Sequence, residues 1–367
     1  MTAIAGRDAA FVEFDHVQKS YDGETLVVKD LNLAIGKGEF LTMLGPSGSG
    51  KTTCLMMLAG FETATHGEIR MNGQNINNLP PHRRGIGMVF QNYALFPHMT
   101  VGENLAFPLE VRGMGKSERE AKIAHALDMV QMGRFANRRP AQLSGGQQQR
   151  IALARALVFD PELVLMDEPL GALDKQLREH MQIEIKHIHD NLGLTVVYVT
   201  HDQSEALTMS DRIAVFHEGV VQQLDTPQGL YERPQNSFVA NFIGENNMLG
   251  GTLEGVDAEN CRVRLDDGTV IHARAGCGDG AGRRVSLSLR PEKIDIEPPG
   301  DIANKLRATV KETIYHGDHM RVRLDVLGND DFTVKMRYRA NRVVPKPGDM
   351  LSIGFAERDC LALDAPQ

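Results

Sequence analysis

Two glycine-containing segments have residue types that can bind phosphate. The first fits the pattern G-x-x-x-x-G-K-[ST] at every fixed position and consists of Gly45, Pro46, Ser47, Gly48, Ser49, Gly50, Lys51 and Thr52. Its glycines let the backbone curl, so that successive N–H groups point at phosphate oxygens. Lys51 supplies a positive charge to the β- and γ-phosphates, and Thr52 offers a hydroxyl to Mg²⁺. The segment therefore predicts a P-loop and a nucleotide site, if a strand precedes it and a helix follows.

The second segment opens a strongly helical stretch and consists of Leu143, Ser144, Gly145, Gly146 and Gln147. Ser144 and Gln147 also fit a capping box, S-x-x-Q, so one interpretation is a well-capped helix. A cap does not need two glycines, each of which costs up to about 1 kcal/mol relative to alanine inside a helix. Paired glycines are useful where another group must approach the backbone closely. We therefore favour a second phosphate contact at this helix N-terminus.

An acidic pair lies at the end of an apolar run. Asp167 follows the run at residues 163–166, and Glu168 comes directly after it. Adjacent residues at a strand end can direct one carboxylate at Mg²⁺ and the other at a water molecule, as nucleotide hydrolysis requires. The alternative interpretation is that Asp167, Glu168 and Pro169 only terminate a strand.

The elements that must position these residues alternate between strands and helices. Residues 40–44 and 87–90 are predicted to be strands, and the short apolar runs at residues 163–166 and 195–199 are of the kind found in buried parallel strands. Helical patterns occupy residues 52–58 and 176–191. This alternation predicts an α/β domain, which we place at residues 1–240.

Between Thr100 and Pro140 the strand pattern is absent from the sequence. Two helices are predicted there, at residues 103–109 and 117–132, and the second is expected to be capped by Ser117 with Glu120 three residues on. We interpret about residues 92–145 as a helical insert within the α/β domain.

Beyond residue 240, short alternating runs replace the helical patterns. The runs occupy residues 261–265, 285–289, 307–315, 320–326, 332–336 and 351–355. Asp267-Gly268 and Gly328-Asn329-Asp330 punctuate the runs and fit hairpin turns. Residues 241–367 are therefore predicted to form a separate, mostly antiparallel all-β domain, whose length would accommodate two small barrels.

Composition and charge exclude several classes of protein. The net charge of −8 argues against general nucleic-acid binding. No uninterrupted apolar stretch approaches the roughly 18 residues of a membrane-spanning helix, and residues 1–10 have no apolar core like that of a signal peptide. We therefore expect a cytoplasmic location. Reduced thiols are expected, and no disulfide framework or metal site, at the four scattered cysteines Cys54, Cys261, Cys277 and Cys360.

The two phosphate-binding segments and the acidic pair together resemble only one family, the ATP-binding cassette (ABC) ATPases. Residues 143–147 lie upstream of Asp167 and Glu168 at the spacing typical of that family. Beyond residue 240, segments such as 242–247 and 289–292 resemble the OB-like regulatory (TOBE) domain of ABC importer ATPases. The implied fold is an α/β P-loop ATPase domain with a helical subdomain, followed by an all-β OB-like regulatory domain.

The resemblance implies roles in the hydrolysis of ATP, with Mg²⁺ as the metal cofactor. It implies that Glu168 is the general base that polarises the attacking water, and that His201 contacts the γ-phosphate. Gln91 would contact Mg²⁺ and water and sense the membrane partner. The implied catalytic residues are Glu168, His201, Gln91 and Lys51, and the implied metal ligands are Thr52, Gln91 and Asp167.

Further residues are implied to bind the nucleotide. Tyr21 matches an aromatic residue that stacks on adenine, although an ordinary half-buried tyrosine would look the same. Asp174 lies in a loop that matches one crossing the interface between two subunits. The implied nucleotide contacts are Tyr21, Gly45, Pro46, Ser47, Gly48, Ser49, Gly50, Lys51, Thr52, Thr53, Ser144, Gly145, Gly146, Gln147 and Asp174.

The resemblance also implies partners. Ser144 of one copy would face the P-loop of a second copy, so a head-to-tail homodimer around two ATP molecules is expected. Transport would require two membrane-spanning permease subunits and, indirectly, a periplasmic substrate-binding protein. The chain would then lie at the cytoplasmic face of the inner membrane. It most resembles ATPases of polyamine (spermidine or putrescine) importers, with ferric-iron, sugar and sulfate importers as alternatives.

Three other functions compete with this interpretation. A soluble ABC ATPase acting on ribosomes or DNA would resemble two cassettes, or would carry a long coiled coil between the P-loop and Asp167, where only about 115 residues lie. A non-enzymatic nucleotide sensor would not need an intact Glu168 and His201. A P-loop kinase would not need residues 143–147.

Overall fold

The computed structural model describes residues 10–278, 280–298, 300, 302–338 and 344–365. By its internal contacts the chain divides into two compact units, between Pro227 and Gln228. The predicted domain boundary falls later in the chain, at residue 240, and the expectation about the first nine residues lies outside the described residues. Within the described ranges, no helix has both the length and the apolar character needed to cross a membrane.

The first unit consists of two sheets and a set of helices. Its strands are β1 (Val12–Ser20), β2 (Leu26–Ile35), β3 (Phe40–Leu44), β4 (His66–Met71), β5 (Gln74–Asn75), β6 (Ile86–Val89), β7 (Leu163–Asp167), β8 (Thr195–Thr200), β9 (Arg212–His217) and β10 (Val220–Asp225). Its helices are α1 (Lys51–Ala59), α2 (Val101–Val111), α3 (Lys116–Met129), α4 (Gly145–Leu157), α5 (Lys175–Leu192) and α6 (Gln203–Met209).

The larger sheet has the strand order β10-β9-β3-β8-β7-β6. The strands from β9 to β6 are parallel, and β10 adds an antiparallel edge. Every residue of β3, β7 and β8 is buried, as the apolar runs of β7 and β8 predicted for those two strands. Because the strands are parallel, the carboxyl ends of β3, β6, β7 and β8 lie along one edge of the sheet, where open α/β sheets bind ligands.

A smaller antiparallel sheet, in the order β2-β1-β4-β5, was not predicted. In β1 buried residues alternate with partly exposed ones, and in the second half of β2 they alternate with exposed ones, which is the pattern of a sheet with one face in the core. Phe14, Leu33 and Ile69 belong to the same buried cluster as Leu55 and Leu58 of α1. This sheet therefore supports α1, the helix that carries Lys51 at its first position.

The helical insert is confirmed by α2 and α3, which share a buried cluster with Ile151 of α4. Thr100 and Glu103 form a complete capping box at the start of α2. The expected cap at Ser117 is wrong, because Gly115 is already the last extended residue and α3 begins at Lys116. Ser117 consequently lies inside the first turn.

The second unit begins with two short helices, α7 (Pro227–Glu232) and α8 (Ser237–Phe242), and continues as strands. The strands are β11 (Asn247–Asp257), β12 (Asn260–Leu265), β13 (Val270–Ala275), β14 (Arg284–Leu289), β15 (Asp295–Ile296), β16 (Asn304–Tyr315), β17 (His319–Val326), β18 (Asn329–Arg337), β19 (Met350–Phe355) and β20 (Cys360–Asp364). The predicted all-β character of this region is therefore confirmed.

The strands of the second unit form one closed barrel and one further sheet. The barrel has the order β11-β12-β13-β20-β14, and the sheet has the order β15-β19-β16-β17-β18. Of the two barrels that the length would accommodate, one closes within the described residues. Both hairpin turns are placed as predicted, since Gly268 joins β12 to β13 and Gly328 joins β17 to β18.

Candidate nucleotide-hydrolysis site

The P-loop joins the end of β3 to the start of α1, as its mechanism requires. A Cβ atom at Gly45 would lie 2.3 Å from the carbonyl oxygen of Phe216, so no side chain fits there. Gly50 has a φ of 99°, and a Cβ atom on it would lie 2.9 Å from the carbonyl oxygen of Val27. These two glycines are therefore required by the loop's own packing and backbone conformation.

Lys51 is the first residue of α1, and only 5% of its surface is exposed. Its ammonium group donates to the carbonyl oxygens of Gly45 (2.9 Å) and Pro46 (2.7 Å) and to the hydroxyl oxygen of Ser49 (3.2 Å). Burial lowers the pKa of Lys51, and the carboxylates of Glu168 and Asp167 oppose that shift. The positive charge is thus held inside the loop, where an anionic group would meet it.

Thr52 and Asp167 come together although 115 residues separate them in sequence. The Thr52 hydroxyl donates to Oδ1 of Asp167 at 3.1 Å. Burial raises the pKa of Asp167, while the hydrogen bond from Thr52 opposes that rise. A hydroxyl oxygen beside a carboxylate is a set of hard ligands that suits Mg²⁺.

Glu168 is the meeting point of three elements. Its backbone N–H donates to the carbonyl oxygen of Val199 at 2.9 Å, and its φ of 43° is in the left-handed region that non-glycine residues rarely adopt. Gln91 Nε2 donates to Oε2 of Glu168 at 3.2 Å, and Nδ1 of His201 lies 3.0 Å from Oε1. A strained backbone with both carboxylate oxygens engaged is typical of a functional residue.

A buried carboxylate supports the segment that carries His201. Tyr198 and Thr200 donate their hydroxyl protons to Glu205, at 2.7 and 2.8 Å. Burial raises the pKa of Glu205, and these two hydrogen bonds oppose the rise. Asp202 caps α6 through the backbone N–H groups of residues 204 and 205. This support was not predicted, although Asp202 followed by Glu205 fits a helix-start pattern.

Arg178 connects that support to the loop containing Asp174. Its guanidinium donates to Oδ2 of Asp202 and to the carbonyl oxygen of Leu173, each at 3.0 Å. Asp174 itself caps α5 by accepting from the backbone N–H of Leu177. The Asp174 side chain, in the loop that was predicted to cross between subunits, therefore has a capping role within its own chain.

Tyr21 is accessible, with 59% of its surface exposed. Its hydroxyl donates to Oγ1 of Thr53 at 3.4 Å, which places Tyr21 near the start of α1. The Lys19 ammonium lies 4.7 Å from the centre of the Tyr21 ring. Tyr21 is not the half-buried tyrosine of the alternative interpretation, and its position is compatible with a ring that stacks on a base.

Ser144 and Gln147 form the capping box that the sequence suggested, at the N-terminus of α4. A Cβ atom at Gly146 would lie 2.9 Å from Leu177, so packing within the chain explains this glycine. At Gly145 the nearest atom would be 3.6 Å away, an ordinary contact, so packing within the chain does not explain it. Among the described residues, no hydrogen bond or ion pair joins residues 144–147 to the P-loop.

Comparison with known proteins matches both units. Residues 28–171 match the ABC transporter family, and residues 287–363 match the TOBE domain family. The chain is 44% identical to the spermidine/putrescine import ATP-binding protein PotA of Trichodesmium erythraeum, over 96% of this chain and 94% of that one. It is 48% identical to the protein named PotA 1 of Pseudomonas aeruginosa, over 91% of this chain and 92% of that one.

A similar solved structure is a dimeric, post-hydrolysis state of an ATP-binding cassette bound to ADP and Pi. That chain is 37% identical, with a TM-score of 0.54, over 59% of this chain and 99% of the other. The 59% of this chain that is covered is close to the fraction of the chain that belongs to the first unit.

Proposed function

This chain belongs to the ATP-binding proteins of ABC transporters, and from that premise we propose that it hydrolyses Mg·ATP to drive the uptake of a polyamine such as spermidine or putrescine. The observation that carries the site assignment is the meeting of Gln91 and His201 at the carboxylate of Glu168. Lys51, Thr52 and Asp167 belong to the same carboxyl edge of the sheet.

Hydrolysis follows from the contacts of Glu168. The oxygen of a water molecule attacks the γ-phosphorus, the bond from that phosphorus to the ADP oxygen breaks, and the water's proton passes to the Glu168 carboxylate. Gln91 and His201 orient this carboxylate, because each contacts a different oxygen of it. Lys51 offsets the negative charge on the transferring phosphate.

Thr52 and Asp167 would hold Mg²⁺ through their oxygen atoms. An ion held there would supply positive charge that offsets the negative charge of the β- and γ-phosphate oxygens. Gln91 was also expected to be a metal ligand, but its amide nitrogen faces Glu168. A contact between Gln91 and the ion remains part of this proposal.

We expect Asp167→Asn to weaken the response to Mg²⁺ and leave metal-free ATP binding intact. The amide keeps the shape of Asp167 but removes its charge, so about 10- to 100-fold more Mg²⁺ should be needed for half-maximal hydrolysis. The measurement is ATP hydrolysis against Mg²⁺ concentration at fixed ATP, with nucleotide binding in EDTA as the control. An unchanged Mg²⁺ titration would exclude Asp167 from the metal site.

The composite arrangement of two copies rests on Ser144 and its neighbours. Within the described ranges, residues 144–147 make no hydrogen bond to the P-loop of their own chain. The absence of a side chain at Gly145 leaves space beside the backbone for a group from another copy. In a head-to-tail pair, the N-terminus of α4 in one copy faces the ATP held by the other, and the helix dipole favours the γ-phosphate. Tyr21 stacks on the adenine, and Asp174 lies at the boundary between the copies.

Uptake requires more than the ATPase. Two membrane-spanning permease subunits would provide the path, and a periplasmic binding protein would deliver the substrate. The chain would then act as a peripheral subunit at the cytoplasmic face of the inner membrane. The names of the relatives support a polyamine as the substrate. Importers of ferric iron, sugar or sulfate are the alternatives.

Uptake of radiolabelled putrescine and spermidine by cells lacking this chain tests the proposal. We expect the wild-type chain to restore saturable polyamine uptake and Glu168→Gln to restore none, since transport needs turnover. Labelled sugar, sulfate and ferric iron serve as matched substrates in the same cells. Restored uptake of one of these, without polyamine uptake, would replace the polyamine assignment but keep the importer. ATP hydrolysis without any restored uptake would favour a soluble ABC ATPase.

A further inference from the structure

The segment that carries Gln91 has an unfavourable backbone conformation. We define the glutamine segment as residues 91–96, which follow β6 and precede α2. Within it, Tyr93 and Ala94 have φ angles of 62° and 46°, two consecutive residues in the left-handed region that L-amino acids disfavour. Such a conformation persists only when surrounding contacts hold it in place.

Arg155 of α4 provides those contacts. Its guanidinium donates to the carbonyl oxygen of Ala94 at 2.7 Å and to that of Tyr93 at 2.9 Å, and it lies 5.7 Å from the centre of the Phe96 ring. Burial lowers the pKa of Arg155. In the part of the chain that the structure describes, no carboxylate pairs with it. The fork of this guanidinium is therefore used to hold two backbone carbonyls.

The other polar groups near this contact do not duplicate it. Tyr93 packs in the same buried cluster as Ala152 and Ala156 of α4, but its hydroxyl has no hydrogen-bond partner among the described residues. Asn104 of α2 holds the far end of the segment through the N–H and carbonyl of Phe96. Neither the Tyr93 hydroxyl nor Asn104 binds the Tyr93 and Ala94 carbonyls, whose hydrogen bonds with α4 come from Arg155.

Arg155 and Ser144 belong to one helix. Ser144 caps the N-terminus of α4, and Arg155 lies in its last turn. One helix therefore joins the Ser144 N-terminus to the Tyr93 and Ala94 carbonyls. Gln91 lies two residues before Tyr93 and donates to the Glu168 carboxylate.

We propose that Arg155 is a positioning residue that holds Gln91 against Glu168 and makes hydrolysis depend on the position of α4. The proposal rests on the proposed ATPase function. The contacts of Arg155 are with the Tyr93 and Ala94 carbonyls and the Phe96 ring, and none of them is with Gln91 or Glu168 among the described residues. Its effect passes through the glutamine segment, so it should be visible only while Gln91 is present.

A double-mutant cycle between Arg155→Lys and Gln91→Ala tests this dependence. Lysine keeps the charge but cannot hold two carbonyls with a rigid fork, so kcat should fall about 10- to 100-fold while the KM for ATP changes little. In the Gln91→Ala background, Arg155→Lys should cause no further loss. An equal fold-loss in both backgrounds would show a merely structural role and overturn the proposal, as would full activity of Arg155→Lys.

Arg150→Lys is the matched control, because Arg150 lies on the same helix and donates to the Val130 carbonyl at 3.1 Å, away from the glutamine segment. Its effect should be the same in both backgrounds. Ala94→Pro repeats the test without touching α4, because Ala94 is exposed and proline cannot adopt a positive φ. If Arg155→Lys does not fold, Ala94→Pro decides the question. An equal fold-loss of kcat from Ala94→Pro in the wild-type and Gln91→Ala backgrounds overturns the proposal. A wild-type chain without ATPase activity would instead overturn the proposed function.

Discussion

Glu168→Gln should reduce ATP turnover by about 10²- to 10⁴-fold while ATP remains bound, because the amide cannot accept a proton from the attacking water. The substitution conserves the size of the side chain, but one of the two carboxylate oxygens that contact Gln91 and His201 becomes an amide nitrogen, so one of these contacts changes. Lys51, Thr52 and Asp167 are unchanged, so the affinity for nucleotide should be preserved. The expected result is a protein that binds ATP, closes around it and does not hydrolyse it.

Two measurements on purified protein check this expectation. Phosphate release gives the turnover, and ATP-dependent dimerisation in size-exclusion chromatography gives the closed state. Glu179→Gln is the matched control, because Glu179 is an exposed glutamate on α5 that forms an ion pair with Lys175. Hydrolysis at the parental rate would remove Glu168 from the role of base. Strictly monomeric behaviour of Glu168→Gln in saturating Mg·ATP would contradict the closed pair.

The parts of the fold that were predicted are those with local signals. The continuous apolar runs of β7 and β8 can only be buried, and the hairpin turns at Gly268 and Gly328 carry their own sequence pattern. The antiparallel sheet of β1, β2 and β4 was missed even though buried and partly exposed residues alternate along β1. Which strands pair with β1 depends on contacts between residues far apart in sequence, and local periodicity does not specify those contacts.

The candidate site divides in the same way. Lys51 and Thr52 were predicted from a contiguous motif with a physical mechanism. Gln91 and His201 are isolated residues, and only the family resemblance linked them to Glu168, from which they lie 77 and 33 residues away. The supporting contacts were not predicted at all, because a buried glutamate such as Glu205 gives no signal of its partners in the sequence.

The two glycines at the start of α4 also differ in a way that the sequence could not show. The close approach of Leu177 to Gly146 comes from the chain's own α5, so this glycine alone is not evidence for a second copy. Gly145 has no such neighbour, since a Cβ atom there would meet Leu173 at an ordinary 3.6 Å. Gly145 is therefore the position at which a side chain should disturb an incoming group and leave the chain's own packing intact.

The second prediction compares two kinds of dimer that carry the same two substitutions. In one dimer each copy carries one substitution, and in the other both substitutions lie on the same copy. Lys51→Ala disables a P-loop, and Gly145→Asp puts a negative charge where the γ-phosphate of the other copy's ATP would approach. Both are made in the Glu168→Gln background, and two affinity tags isolate the mixed pairs. We expect a pair with one substitution on each copy to retain one intact composite site. A pair with both substitutions on the same copy should retain none.

Tightly held ATP distinguishes the two arrangements, because release from a sealed site should be slower by about tenfold for every 1.4 kcal/mol of added contact. Labelled ATP that resists exchange should be found in the pair with separated substitutions and should be absent when both lie on one copy. Matching thermal unfolding of the two pairs is the control for folding. The opposite result would be labelled ATP retained only by the pair in which both substitutions lie on one copy. That result would mean that each chain encloses its own nucleotide. Because the two pairs contain the same substitutions, any difference between them reports on which copy supplies α4 to which P-loop.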